Sequence, residues 1–242
     1  MQLTVKGTMV PLLRDLDRIA KSVPKVAVEA LNKTAFEVRD ALKDHMRQAF
    51  DRPTPFTLNS LFVIKADERT MRAIVHLKDE RATSGGIPAN TYLAPQIEGG
   101  GRRHKRFEKA LIAAGWMKSS QYAIPGRGVK LNQYGNVSQG LYTQVLSALR
   151  ASPDPLQNET ANSKARRKRR GGYRIFPVQR NGSYIGVGRA KANSNQVEML
   201  FFFGRQPVYK ARRFNFYGVA ALTARDQLPR KIQQAWAKVR AG

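Results

Sequence analysis

The sequence predicts an α+β fold. An antiparallel sheet packs with a long N-terminal helix and a C-terminal helix, and an irregular helical basic insertion interrupts it. Three observations predict this. A stripe of helical period runs through residues 24–49. The strand-like runs cluster and pair with neighbours in sequence, which separates α+β from α/β. Helical period returns at the C-terminal end.

Residues 2–6, QLTVK, alternate polar and apolar and read as a short strand. A first helix is predicted over 9–21. Ser22 and Pro24 then restart the pattern, because a capping hydroxyl with proline in the first turn opens a helix. From there Ala27, Leu31, Thr34, Val38, Leu42 and Ala49 share a stripe, while Lys33, Glu37, Asp40, Lys43, Asp44 and Arg47 fall mostly elsewhere. The helix would be roughly 39 Å long at 1.5 Å per residue. The stretch FDRPTPFTLNS, 50–60, stops it. Pro53 and Pro55 each fix φ and hold the preceding residue extended, so the chain is aimed through a stiff corner. Phe50 and Phe56 would anchor that corner in the core.

Leu58–Ala66 and Met71–Lys78 read as an antiparallel hairpin turning at Asp67, Glu68 and Arg69. Residues 92–98 read as extended, and Gly99–Gly101 release the chain into a short helix marked by Phe107, Leu111 and Ala114 and closed by Gly115. Residues 116–137 read as irregular, and Ser138 caps a helix through about Leu149. Residues 152–172 show no apolar pattern and read as a flexible basic loop. YRIFPV (173–178), YIGVG (184–188) and QVEMLFFFG (196–204) form a three-stranded meander, with RNGS as its first turn. The last helix carries Tyr217, Ala221, Leu228, Ile232, Ala235 and Val239, kinked or restarted at Pro229. The predicted core domain is 1–97 with 173–242, and 98–172 is an insertion.

Charge bounds the function. The chain has 43 Lys and Arg against 17 Asp and Glu in 242 residues, a net of +26. Self-repulsion at that level opposes compaction unless an anion neutralises it, so a polyanion is the expected neighbour. There is no cysteine, which excludes disulfides and thiolate chemistry. No apolar run approaches the length of a membrane span, and the first 25 residues form a charged amphipathic helix, not a signal peptide. A soluble chain of cytoplasmic origin is expected.

No catalytic, metal or cofactor site is predicted. His45, His76 and His104 lack metal-ligand spacing and read as packing or surface residues. Asp79, Glu80 and Glu98 form no recognisable two-metal pattern. GGGRRHKR, 99–106, places glycines and basic residues before a helix, where an anion binds well, but it lacks Walker spacing. Arg102, Arg103, Lys105 and Arg106 are candidate phosphate contacts. So are Lys164, Arg166, Arg167, Lys168, Arg169 and Arg170 of KARRKRR, for which a solvated loop is the alternative. The aromatics 201–203, Phe214, Phe216 and Tyr217 fit core packing or a subunit contact better than base stacking.

Several stretches in order resemble a known family. VKG…IAKSVPKVAVEALNKTAFEVRDAL followed by FDRPTPFTLNSL resembles structural proteins of tailed bacteriophages, in the minor tail protein Z and tail-completion group. YLAPQIEGGGRRHKRFEKAL with AIPGRGVKLNQYGNVSQG resembles the middle of related phage proteins. ARRFNFYGVAALTARDQLPRKIQQAWAKV is similar to the basic C-terminal helix of that group, including its Leu-Pro step. The resemblance implies a non-enzymatic virion component of the neck or tail. It implies a homo-oligomer, a six-membered ring around the DNA channel, with connector and tail proteins as partners. The alternative is a non-enzymatic nucleic-acid-binding module.

Replacing Pro53 and Pro55 together with alanine is expected to lower the melting temperature or the yield of assembled particles. A double variant that melts and assembles like the parent would show that the prolines do not set the corner.

Overall fold

The structure, a computed structural model, describes residues 10–79, 87–191, 194, 196–211 and 213–241. In chain order its elements begin with α1 (Val10–Ala49), α2 (Pro55–Leu58), β1 (Leu61–Ile64), β2 (Ile74–Leu77) and α3 (Ala89–Glu98). They continue with β3 (Gly100–Gly101), α4 (Arg106–Ala113), β4 (Tyr122–Pro125), α5 (Gln139–Ala148) and α6 (Ala161–Arg169). Last come β5 (Tyr173–Arg180), β6 (Ser183–Lys191), β7 (Glu198–Gly204), β8 (Val208–Tyr209) and α7 (Phe216–Ala241). The fold is mixed α+β with antiparallel sheets, and the long N-terminal helix packs on the C-terminal one. The predicted strand 2–6 lies outside the described residues.

The chain divides into two compact units, one up to Ile97 and from 212 onward, the other Glu98–Ala211. The strands over 173–204 belong to the second unit, not to the unit of the terminal helices where the sequence reading placed them. They bury their apolar face on α4 and α5, which precede them in the chain.

The first unit is built on α1, 40 residues long and so about 60 Å. Val26, Ala30, Thr34, Val38, Leu42 and Met46 are buried at intervals of four, a single ridge. The predicted stripe was one residue off at its start: Ala27 and Leu31 are only half-buried. Ser22 and Pro24 do not restart the helix. Pro24 lies inside it, and Ser22 Oγ donates to the Arg18 carbonyl at 2.8 Å. A proline removes one backbone bond, and packing along α7 outweighs that loss.

α7 runs antiparallel to α1. Arg18 Nη2 donates to the Val239 carbonyl at 3.1 Å, Lys238 pairs with Glu29, Lys231 pairs with Glu37 at 2.7 Å, and the Asn215 N–H reaches His45 Nε2 at 3.1 Å. Asn215 Oδ1 accepts the Gly218 N–H at 3.2 Å and caps the helix start. α7 is continuous through Pro229. Its buried side is not the predicted stripe. Ala235 is buried, but Tyr217 and Ile232 are exposed, because Phe216, Ala220 and Ala224 face the core instead.

The hairpin β1–β2 pairs Leu61 with Leu77 and Ile64 with Ile74, as predicted but shorter. The Asp67 carboxylate accepts the Arg69 and Thr70 N–H groups at 2.9 and 2.6 Å and forms the turn. The Asn32 side chain clasps the hairpin, donating to the Ala66 carbonyl at 3.0 Å and accepting its N–H at 2.7 Å. Residues 92–98 are not extended but complete α3. Ala89 and Leu93 are buried four apart, with Ile97 packed beside them, and this burial overrides Pro95.

The corner 50–60 holds a surprise. Thr54 accepts the Thr57 N–H at 3.2 Å and caps α2, whose first residue is Pro55. Arg52 has φ of 46°, which is strained for a non-glycine residue. Phe50 packs 5.6 Å from Phe214, as an anchor should. Phe56 does not enter the core. It is 58% exposed and lies against Tyr92. The short helix turns it outward, and the sequence reading missed that helix.

Phe214 is the centre of this unit. It is fully buried, its N–H donates to the Gln96 carbonyl at 2.9 Å, and the rings of His45, Phe50 and Phe216 lie within 6 Å.

In the second unit the strand order is β4-β7-β6-β5, all antiparallel. β4 falls in a stretch read as irregular; four residues ending in proline give too short a pattern to see. The RNGS turn is confirmed, with Asn181 and Gly182 at φ of 50° and 72°, the paired left-handed residues of a type I′ turn. Between Phe201, opposite Val187, and Met199, opposite Gly188, Leu200 is an extra residue. This bulge buries Leu200 and Phe201 together. They pack with Phe107 and Leu111 of α4 and Val145 and Leu149 of α5.

Truncating a buried phenylalanine costs about 3–5 kcal/mol. Phe214→Ala is therefore expected to lower the unfolding free energy of the first unit by that amount, and Phe56→Ala by under about 1 kcal/mol. Urea denaturation followed by circular dichroism checks the contrast; equal losses would show that the corner ring is a core residue.

Candidate polyanion-binding surface

The glycines before the first basic stretch serve backbone pairing. Gly99 and Gly100 have φ of 85° and 90°, the region that favours glycine. A side chain on Gly99 would stand 2.9 Å from the Ala211 nitrogen. Gly100 and Gly101 pair with Tyr209 and Val208 as a small ladder, and Gln206 Nε2 donates to the Arg102 carbonyl at 3.2 Å. The stretch closes two strands and does not form a phosphate loop.

Arg102 is turned into the protein. Its Nη1 and Nη2 donate to the two Glu108 carboxylate oxygens at 2.7 and 2.6 Å. The side chains are 15% and 1% exposed. The same carboxylate accepts the Lys105 N–H at 2.7 Å and the Ala123 N–H at 2.8 Å. Glu108 is the third residue of α4, so it occupies the place where that helix end would otherwise attract an anion. Burial raises the Glu108 pKa, but the Arg102 fork and the two backbone donors outweigh it and hold the carboxyl below the ordinary glutamate value. The Arg102 guanidinium also lies 4.8 Å from the Tyr122 ring centre, on which His104 stacks at 4.2 Å. Arg102 is thus withdrawn from the predicted phosphate contacts. Arg103, Lys105 and Arg106 are exposed. Sequence reasoning missed Glu108 because Lys105, at the cap position, lacks the hydroxyl of a recognisable capping box.

The densest basic run is helical, which corrects the flexible-loop reading of 152–172. A 3-10 turn covers Pro155–Gln157, and α6 follows. Thr160 accepts the Ser163 N–H at 3.2 Å while Ser163 Oγ accepts the Thr160 N–H at 3.0 Å, a reciprocal cap. At the other end the Gly172 N–H reaches the Arg167 carbonyl and the Gly171 N–H the Lys168 carbonyl, a Schellman arrangement with Gly171 at φ of 65°. Thr160 and the two glycines were readable stop and start signals. The absence of an apolar stripe hid them.

α6 spreads its cations around its axis. Arg167 is held by Glu159 at 3.0 Å and is half-buried. Lys164, Arg166, Lys168, Arg169 and Arg170 are exposed. No ion pair holds these five among the described residues. Lys164 and Lys168, four apart, share one side.

The charge is unevenly divided. Residues 98–211 hold 21 Lys and Arg against 5 Asp and Glu, a net of +16. Three of the five carboxylates are engaged by arginine: Glu108 by Arg102, Glu159 by Arg167 and Glu198 by Arg189. Asp154 caps the 3-10 turn.

The remaining candidates take structural places. His45 receives the Asn215 N–H, His76 Nδ1 donates to the Leu77 carbonyl at 3.0 Å, and His104 Nε2 lies 3.0 Å from the Gln121 carbonyl. Phe201 and Phe203 are buried, and Phe202 is exposed. Among the described residues no group of three or more His, Asp or Glu is placed to hold a metal ion.

The depressed Glu108 pKa fixes a sign. The pair contributes its full stability above the unfolded glutamate value, about 4.3, and loses it as pH falls through the lower folded value. Glu108→Gln is expected to destabilise the second unit by about 3–5 kcal/mol at pH 7, since it leaves a buried arginine unpaired. It should also flatten the decline in stability between pH 5 and 3. Thermal melts across that range check both; a variant with the parent's pH profile would remove Glu108 as its source.

No family model, curated protein or solved structure matches the chain.

Proposed function

We propose that the chain is a structural virion protein of a tailed bacteriophage. It is a tail-completion, neck or minor tail component that oligomerises around the DNA channel and joins the head-proximal connector to the tail. The observation that carries this is the uncompensated charge of residues 98–211, where most carboxylates are consumed in internal contacts. A component lining a channel for a polyanion needs such a surface and needs no reacting group. The segment resemblance supports the placement in the virion. The long α1–α7 pair supports the subunit role, offering exposed apolar residues such as Ile19, Val23 and Leu222. Six copies in a ring follow from the resemblance and from the way head-to-tail contacts close.

A second reading is favoured by α6. Its four exposed cations, with Arg170 at its C-terminal cap, fit a non-enzymatic nucleic-acid-binding module that grips phosphates without reading sequence. Among the described residues no helix is long and apolar enough to cross a membrane.

Electron microscopy of the purified chain, alone and with tail and connector fractions, separates the two. A discrete ring that seats on a tail end or connector supports the virion reading, and a monomer that never seats overturns it. Duplex binding across a salt series tests the phosphate surface. Lys164→Ala with Lys168→Ala is expected to reduce the slope of log K against log salt by about 2. An unchanged slope would remove α6 from the contact.

A further inference from the structure

The four-stranded sheet turns one face to α4 and α5 and, among the described residues, leaves the other uncovered by its own helices. Cross-strand partners share a face, and residues along a strand alternate between faces. Phe201 and Phe203 face the core, so Phe202 points the other way. Its partners are Ile124 on β4 and Gly186 on β6, and the partner of Gly186 is Val178 on β5. One row therefore crosses the whole sheet. The next row is Met199, Gly188 and Phe176.

This face is open and apolar. Phe202 is 45% exposed and Ile124 44%. The strand β6 presents glycine in both rows of this face, and neighbouring side chains fill the space above it: Met199 Cε would stand 2.7 Å from a Cβ at Gly186, and Ile124 flanks Phe202 on β4. The rim of the face is cationic. The Arg174 guanidinium lies 4.8 Å over the Phe176 ring, and Arg180 follows Val178 by two positions on the same side of β5. Both arginines are exposed, and neither row contains a carboxylate.

We propose that this face binds single-stranded nucleic acid, with bases stacked on Phe202 and phosphates against Arg174 and Arg180. Each feature selects that ligand. An apolar surface with one half-exposed ring accepts the π-face of any base. Arginines at its edge and a unit of net +16 supply the backbone attraction. A duplex keeps its bases stacked on one another and offers only phosphates, so it gains from the charge but not from the ring. The inference rests on the reading of this unit as polyanion-facing and is independent of the virion assignment.

The test uses the full chain, a fluorescein-labelled oligo(dT) of about 15 nucleotides and a duplex of equal length, with binding read by anisotropy. Phe202→Ala is expected to weaken oligo(dT) about tenfold and the duplex by less than about twofold. Phe202→Tyr keeps the ring and should bind like the parent. Phe202→Leu keeps apolar volume without stacking and should fail like alanine. Parent-like binding by Phe202→Leu, or equal losses on both nucleic acids, overturns the proposal. A change of oligomeric state in Phe202→Ala without nucleic acid, read by sedimentation, also overturns it and marks the face as a contact between copies. Should Phe202→Ala and Phe202→Leu unfold, Arg174→Ala serves: a loss on oligo(dT) exceeding the loss on duplex supports the proposal, and an equal loss sinks it. The Lys164→Ala, Lys168→Ala variant reads charge alone. If it weakens both nucleic acids while the Phe202 variants bind like the parent, stacking fails and the charge reading stands.

Discussion

The scarcity of carboxylates constrains everything else in this molecule. With 17 acids for 43 cations, the position of each acid decides which cations become internal joints and which stay available. Glu108 shows the effect at full strength. One side chain gathers Arg102, the start of α4 and the edge strand β4 through four hydrogen bonds. It is buried, and a buried carboxylate persists only when its oxygens are satisfied. Arg102, one of the predicted phosphate contacts, is thereby turned inward onto the Glu108 carboxylate. Glu159 does the same for Arg167 on a smaller scale.

The first unit uses its acids differently. Glu29 and Glu37 reach Lys238 and Lys231 on the antiparallel partner helix. These pairs lie at the surface, where solvent screening leaves an ion pair little stabilising effect. Their value is register: they align two helices whose buried residues include small side chains such as Ala30 on α1 and Ala235 on α7. The apolar joint lies at the other end, where Phe214 gathers the end of α1, the end of α3 and the start of α7. The helix pair is thus fastened hydrophobically at one end and aligned electrostatically along its length.

The sequence made the long helices, both hairpins, the α4 and α5 signals and the overall class legible, because each rests on local period or a specific turn residue. Asn181–Gly182 and Gly115 are such cases. It misplaced elements where a local rule met tertiary burial. Pro24 read as a helix start, Pro229 as a kink or restart and residues 92–98, which hold Pro95, as extended, yet all three prolines lie inside helices. β4 and α2 are four residues each, shorter than any period. α6 was hidden for another reason: its surface is almost wholly charged, and apolar patterning is silent where nothing is buried. The outer sheet face was unreadable because strand register places Ile124, Phe202 and Val178 in one row from three distant segments.

The helical state of the basic run changes what its charge means. On a helix, cations three or four apart sit about 5–6 Å from one another. That is inside the Debye length of about 8 Å at physiological salt, so simple screening does not relieve their repulsion. Like charges at this spacing destabilise a helix by about 0.2–0.5 kcal/mol per pair, and α6 has no buried apolar residue to offset it. Its two caps and the Glu159 pair are what hold it. An anion bridging Lys164 and Lys168 would convert the repulsion into attraction and tighten the helix as it binds. On the proposed reading the run would meet phosphates as a helix already formed, not as a disordered tail that happens to be basic.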